Sequence, residues 1–180
     1  MNIDLTFNAN YALENSDKIK KGEQYYYPEG SNKEGKDGVV VQVIPFESKD
    51  WVGVFAFGTF SSKGISGIYT MPNPNRFCIV SKGSGYIVSV NDNKDWEEVE
   101  SIPILDVRSI KEQGILVFSN YTDLVAYDEI GVKWRTERLS QDGFKIIEIT
   151  KSIIKGEFWN PRNEAYDLFE VDLSTGIRVR

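Results

Sequence analysis

Short runs of β-branched and aromatic residues, separated by turn residues, recur along most of this chain and predict β-strands. They are clearest between residues 114 and 176, where two successive groups of runs indicate two β-meanders. The predicted strands of this stretch are 114–120, 124–127, 132–139, 145–149, 152–159 and 168–173, with a last one at 177–180.

Earlier in the chain the same pattern predicts strands at 38–44, 51–57, 76–80, 86–90 and 102–110. Segment 51–57 is apolar at every position. A strand with one solvent-exposed face alternates apolar and polar residues, so we expect both faces of this segment to be covered. The first 36 residues are less regular. Here we predict a short helix within 11–21, an extended piece at 25–27 and a glycine-rich mobile loop at 30–38.

A repeated order of strand, polar turn and tryptophan strand organises these runs. Trp96 and Trp134 each follow such a turn and lie 38 residues apart, and a third copy at 170–177 has Arg178 about where a tryptophan would fall. A period near 40 with four short strands is typical of a β-propeller blade. The repeats resemble the quinoprotein-type blade, whose strands end in an aspartate, a Thr-Gly turn and a tryptophan.

We therefore predict one all-β domain over residues 1–180, with an irregular N-terminal segment (1–36) followed by antiparallel meander repeats (37–180) at a period near 40. About three blades and one hairpin can be counted. A closed propeller typically has four or more blades, so a propeller-like ring, an open sandwich and a half-barrel remain alternatives. Trp134 and Trp159 lie on predicted strands, and we expect both to be core residues.

The C-terminal third also resembles a family of uncharacterised bacterial proteins. The resemblance rests on the segment Trp134-Arg-Thr-Glu-Arg-Leu-Ser-Gln-Asp-Gly143 and on Phe169-Glu-Val-Asp-Leu-Ser-Thr-Gly176, and it covers about the last 60 residues. It implies a bacterial source. That family has no known activity, so the resemblance implies no function.

Missing residue types narrow the possible chemistry. The chain has no histidine, which excludes Ser-His-Asp and Cys-His catalysis and histidine-bound zinc. Its one cysteine, Cys78, lies in an apolar run and is expected to be a buried thiol. Segment 30–37 is like a phosphate-binding loop but lacks the final Ser or Thr, and 91–95 is like a calcium loop with Trp96 in place of the glycine. We predict no catalytic residue, no cofactor and no metal.

One enzymatic alternative remains, a carboxylate-based hydrolase acting on carbohydrate. Two acids roughly 5–10 Å apart suffice for such a reaction, but sequence alone does not show which acids converge. The candidates are Asp123, Asp128, Glu129, Asp142, Glu157 and Asp172.

Charge favours a binding function instead. The chain carries 21 basic and 27 acidic residues, a net charge of −6, which argues against nucleic acid and anionic membranes as partners. It shows no signal peptide and no membrane-spanning run, so we predict a cytoplasmic protein. We interpret it as a non-catalytic protein-binding protein, immunity-like or adaptor-like, whose acidic surface meets a basic partner protein. The oligomeric state is not predicted.

Acidic residues gather in two turns, one repeat apart, and these form the predicted partner-binding surface. If the repeats stack, equivalent turns share an edge and the two groups become neighbours. The predicted contact residues are Asp92, Asp95, Glu97, Glu98, Asp128 and Glu129.

Overall fold

The computed structural model describes residues 1–15, 23–35, 37–59 and 62–180, and these residues form an all-β protein. Within these residues sixteen strands assemble into four sheets, which confirms the predicted fold class. Within the described ranges the only helical segment is a 3-10 turn, Lys111–Gln113. No helix in them is long and apolar enough to cross a membrane.

The strands divide between two compact units, Met1–Ile104 and Leu105–Arg180. The N-terminal unit contains β1 (Asn2–Asp4), β2 (Tyr11–Asn15), β3 (Gln24–Tyr27), β4 (Gly38–Pro45), β5 (Trp51–Ala56), β6 (Gly67–Thr70), β7 (Arg76–Ser81), β8 (Ser84–Ser89) and β9 (Trp96–Glu98). The C-terminal unit contains β10 (Asp106–Ile110), β11 (Ile115–Ser119), β12 (Leu124–Tyr127), β13 (Val132–Arg135), β14 (Phe144–Ile149), β15 (Ile153–Asn160) and β16 (Ala165–Asp172).

In the N-terminal unit, two sheets with strand orders β1-β6-β7-β8-β9 and β2-β4-β5-β3 share one core. Val41, Phe55, Phe77 and Val88 are fully buried there. Strand β5 lies between β4 and β3 within its sheet, and it is buried at all six positions. The prediction that both faces are covered is confirmed over Trp51–Ala56, whereas Phe57 is half-buried. Cys78 is fully buried as expected, and burial raises the pKa of its thiol.

The N-terminal 36 residues differ from the prediction, because they supply three edge strands. The helix predicted within 11–21 is wrong over Tyr11–Asn15, which forms β2 against β4, and residues 16–22 lie outside the described residues. The piece predicted at 25–27 is strand β3. Strands β1 and β3 pair in parallel with β6 and β5, unlike the antiparallel meanders elsewhere.

In the C-terminal unit, sheets β10-β11-β12-β13 and β14-β15-β16 are antiparallel throughout and pack on a second core. The predicted meanders are confirmed here. Three predicted strands are clearly shorter than expected: 102–110 is a strand only from Asp106, 132–139 only over Val132–Arg135, and 177–180 is reduced to a single bridge between Val171 and Arg178.

A tryptophan joins the two sheets of each unit through the same kind of hydrogen bond. In the C-terminal unit Trp134 on β13 is 7% exposed, and its indole Nε1 donates to the Leu173 carbonyl oxygen at 2.8 Å, just after β16. In the N-terminal unit Nε1 of Trp51 on β5 donates to the Val90 carbonyl oxygen at 3.2 Å, just after β8. Both bonds link residues 39 apart in sequence.

Replacing Trp134 with alanine should lower the free energy of unfolding by about 3–5 kcal/mol, because the change removes a buried aromatic side chain and leaves a cavity. Denaturation in urea, followed by circular dichroism, measures the change. An unchanged transition midpoint would contradict the burial of this side chain.

Gly176 lies under the Trp134 ring in the left-handed region (φ 71°), and a Cβ there would come within 2.7 Å of the ring. Gly176→Ala should therefore cost about 1–2 kcal/mol for the backbone and about 1–3 kcal/mol more for overpacking. Gly114→Ala is the matched control, because Gly114 has φ 59° and open space around its Cβ position. Equal losses of stability in the two variants would mean that the ring contact contributes nothing.

Candidate binding site

A cleft of about 280 Å³ opens in the C-terminal unit, where the segment after β13 meets the β15–β16 hairpin. Its lining includes three arginines, Arg138, Arg162 and Arg178, and one carboxylate, Asp142. Within the described residues, none of the three guanidinium groups forms an ion pair with an Asp or Glu side chain. The cleft therefore carries an excess of positive charge in a chain whose net charge is negative.

Backbone contacts fix Arg138 at one wall of the cleft. Its Nε donates to the Ser140 carbonyl oxygen at 3.1 Å, and the Ser140 hydroxyl donates to the Gly143 carbonyl oxygen at 2.7 Å. The Leu139 amide donates to the Thr122 carbonyl oxygen at 2.7 Å, which ties the segment to the loop before β12. This wall is thus held by bonds that use only Nε of the Arg138 guanidinium.

Asp167 shapes the hairpin that carries Arg162. Its carboxylate accepts hydrogen bonds from the side-chain amides of Asn160 at 2.6 Å and Asn163 at 3.0 Å. These bonds, and more weakly the charge of Arg178, hold the pKa of Asp167 below its usual range. A lowered pKa means that this stabilisation is present above the ordinary carboxyl pKa and is lost only as the pH falls through the lowered value.

Arg178 comes from the C-terminal segment that pairs with β16. Its guanidinium carbon lies 5.6 Å from the centre of the Phe158 ring, and its Nε donates to the Arg180 carbonyl oxygen at 2.7 Å. Stacking on an aromatic ring orients a planar guanidinium without neutralising it. The guanidinium groups of Arg138 and Arg178 are therefore positioned while their charges stay available, and the backbone of Arg162 is held in the hairpin.

Beside the cleft, the outer face of the β15–β16 pair exposes apolar side chains. Trp159 is 48% exposed, Tyr166 65% and Leu168 48%. Trp159 and Tyr166 are directly opposite each other, with ring centroids 5.4 Å apart, and Leu168 follows on the same face opposite Glu157. These three side chains are called the apolar strip below. Trp159 also lines the cleft, so the strip and the arginines adjoin.

The prediction that Trp159 is a core residue is therefore wrong, whereas the same prediction for Trp134 is confirmed. On β15 the buried positions are Ile154 and Gly156, and Phe158 packs against the same core. Alternation along the strand then turns Trp159 outward. The sequence is apolar at both 158 and 159, so the pattern alone does not show which of the two faces inward.

The first acidic group lies on the turn before β9 and on β9 itself, and part of it is neutralised. Arg76 forms ion pairs with both Asp95 and Glu97, each at 2.6 Å. Asp92 is exposed and accepts a hydrogen bond at 3.0 Å from the amide two residues further on. Glu98 is exposed at the end of β9.

The second acidic group lies in the β12–β13 turn of the other unit. Asp128 accepts hydrogen bonds from the amides of Ile130 at 2.9 Å and Gly131 at 3.3 Å, and Glu129 is exposed beside it. The second group and Asp92 and Asp95 of the first group thus lie in turns, as the sequence indicates, whereas Glu97 and Glu98 lie on β9. That they bind a basic partner, and that the two groups are neighbours, stay predictions.

Several acids considered for a hydrolase have contacts in their own turns. Asp172 Oδ1 accepts bonds from the amides and hydroxyls of Ser174 and Thr175 at 2.6–3.0 Å, and the hydroxyl bonds lower its pKa. Asp123 accepts bonds from Asn120 and Thr122 and pairs with Arg135 at 3.2 Å. In the part of the chain that the structure describes, no three Cys, Asp or Glu side chains are grouped so that they could hold a metal ion.

Sequence reasoning missed the arginines of the cleft, although a signal for them exists. Six of the seven arginines of the chain lie after residue 104, whereas the lysines are spread evenly. Arginine rather than lysine is favoured where planar anions are recognised by paired hydrogen bonds. Which arginines converge depends on the fold, because residues 138, 162 and 178 lie on three different segments.

Comparisons with known proteins identify no family. No protein-family model matches this chain, and no curated protein sequence matches it. Among solved structures, the crystal structure of the N-terminal domain of Nup159 is similar with 10% identity and a TM-score of 0.41, over 94% of this chain and 50% of that one. An S. cerevisiae complex of Dbp5 with Nup159, Gle1, IP6 and ADP is similar with 9% identity and a TM-score of 0.41, over 94% and 51%. The chain spans about half the length of both.

Trp159→Phe should remove the largest single share of the tryptophan emission that acrylamide can quench, because Trp159 is 48% exposed, Trp96 is partly buried, and Trp51 and Trp134 are 5% and 7% exposed. The unfolding free energy should change by no more than about 0.5 kcal/mol, as at other surface sites. Trp134→Phe is the control and should leave the quenchable emission in place. Undiminished quenching in Trp159→Phe would contradict the exposed position.

Proposed function

We propose that this chain is a non-catalytic protein-binding protein, and that its partner docks on the apolar strip of the C-terminal unit. The observation that carries the proposal is the exposure of Trp159, Tyr166 and Leu168 side by side on a regular sheet face. Single exposed apolar residues are ordinary on protein surfaces. Contiguous ones next to polar residues are typical of interaction sites.

The chemistry of the surface supports a protein partner. Tryptophan, tyrosine and arginine are the residue types enriched among those that dominate binding energy at protein interfaces. Here two of these types form the apolar strip, and the third lines the adjoining cleft. A sheet also holds such side chains in fixed positions, so little conformational entropy is lost when a partner binds.

Immunity proteins and adaptors act only by holding another protein, and we propose a role of this kind in the cytoplasm. A small chain that binds without catalysis needs a rigid scaffold and one well-placed surface. The antiparallel sheets of the C-terminal unit provide the scaffold, and the β15–β16 pair provides the surface.

The test is capture of partners from the producing cells on the purified protein, followed by reconstitution of each complex from purified components. Tyr166→Ser and Leu168→Ser should each weaken the reconstituted complex by about 30-fold, since truncation at the centre of an interface costs about 2 kcal/mol or more. Affinity is measured by isothermal titration calorimetry.

Ile130→Ser is the matched control. Ile130 is 89% exposed in the same unit but lies in the β12–β13 turn, away from the apolar strip in the sheet order. It should leave the affinity unchanged. If Ile130→Ser weakens the complex as much as Leu168→Ser does, or if neither strip variant weakens it, the strip is not the binding surface.

A further inference from the structure

We infer that the cleft beside the apolar strip binds an acidic peptide segment of the partner, with Arg138, Arg162 and Arg178 receiving its carboxylates. This inference rests on the proposed function, because it assigns the chemistry of the partner that covers the strip. The net negative charge of the chain led us to expect a basic partner. The cleft in this unit is positively charged, so here we infer an acidic ligand instead.

Charge complementarity is the first support. Three guanidinium groups and one side-chain carboxylate line the cleft, and none of the three guanidinium groups is paired with an Asp or Glu side chain within the described residues. A guanidinium presents parallel N–H donors that match the two oxygens of a carboxylate. An acidic side chain would supply the partner that these arginines lack within the described part of this chain.

Pre-organisation is the second support. Arg138 and Arg178 each use only Nε for a backbone carbonyl, at 3.1 and 2.7 Å, so the terminal nitrogens remain for a ligand. Arg162 lies in a hairpin whose ends are held by Asp167. Side chains that are already positioned lose less entropy on binding than free ones do.

Size and surroundings favour a short peptide over a nucleic acid. The volume of about 280 Å³ lies at the small end of the roughly 300–1,000 Å³ of small-molecule sites, so the cleft accommodates one or two side chains. The outer sheet face beyond the apolar strip carries Glu157, Glu170 and the Glu148–Lys155 ion pair. These carboxylates repel a long polyanion, whereas nucleic-acid sites are broad basic stripes.

The composition of the ligand follows from the adjacency of cleft and strip. Trp159 lines the cleft and also belongs to the apolar strip. A segment that alternates carboxylate and aliphatic side chains would place its acids on the arginines and its apolar residues on the strip. A purely acidic segment would leave the strip uncovered.

The probe is a six-residue peptide of alternating glutamate and leucine, acetylated at its N-terminus and amidated at its C-terminus. The control peptide has glutamine in place of glutamate. Binding to the full chain is followed by tryptophan fluorescence and by ¹H–¹⁵N correlation spectra at low salt. We expect the glutamate peptide to bind at least tenfold more tightly than the glutamine peptide. We also expect added salt to weaken the binding, because salt screens the charges.

Arg162→Gln should reduce the affinity for the glutamate peptide at least fivefold, and Arg138→Gln should do the same. Arg108→Gln is the matched control, since Arg108 lies in the same unit, pairs with Asp106 at 2.7 Å and is absent from the cleft. It removes the same charge and should leave the affinity within twofold. Equal losses in Arg108→Gln and Arg162→Gln would overturn the inference, because only net charge would then matter.

Three further results would overturn it: equal binding of the two peptides, no binding of either, or tighter Arg162-dependent binding of a single-stranded oligonucleotide.

A failure of this inference can be distinguished from a failure of the proposed function. If Leu168→Ser weakens the reconstituted complex while Arg162→Gln does not, the apolar strip is the docking surface and the inference of an acidic peptide ligand is wrong. If the glutamate peptide binds through Arg162 while the strip variants leave the complex intact, the cleft binds acidic peptides but the strip is not the docking surface.

Discussion

A buried indole N–H needs an acceptor, and this need determines how the two sheets of each unit meet. Trp134 and Trp51 each extend from one sheet and donate to a backbone carbonyl just beyond a strand of the other sheet in the same unit. An unpaired N–H in either core would cost free energy, so the bond selects one arrangement of the sheets. At Trp134 the absence of a side chain at Gly176 allows the ring to lie against the turn.

Part of this contact is visible in the sequence. In each unit the tryptophan and its acceptor lie 39 residues apart, and the residues that shape the accepting turn in the C-terminal unit, Asp172 to Gly176, are a local motif. The N-terminal strands lack such a signal. Strand β1 pairs with β6 more than 60 residues later and in parallel, so neither its local pattern nor a hairpin turn predicts it.

The candidate site was predictable only in part, and the reason is register. The acidic turns are visible because turn residues are local, and they lie where the pattern places them. Trp159 points outward because the even-numbered residues of β15 face the core and the odd-numbered ones face away from it. Gly156 is one of the inward positions, and the Phe169 ring from β16 occupies the space where its side chain would lie. That close approach is a tertiary contact, which strand alternation alone does not show.

The cleft also shows why net charge is a poor guide to a partner. The C-terminal unit has 11 basic and 13 acidic residues, so its net charge is slightly negative. Many of its carboxylates bond within turns or to neighbouring side chains, as Asp167, Asp172 and Asp123 do. Such carboxylates already accept hydrogen bonds from nearby groups, whereas the terminal nitrogens of Arg138 and Arg178 donate none that the structure describes. The charge that lines the cleft is therefore mainly positive although the unit as a whole is slightly negative, and a ligand in the cleft would meet this local charge.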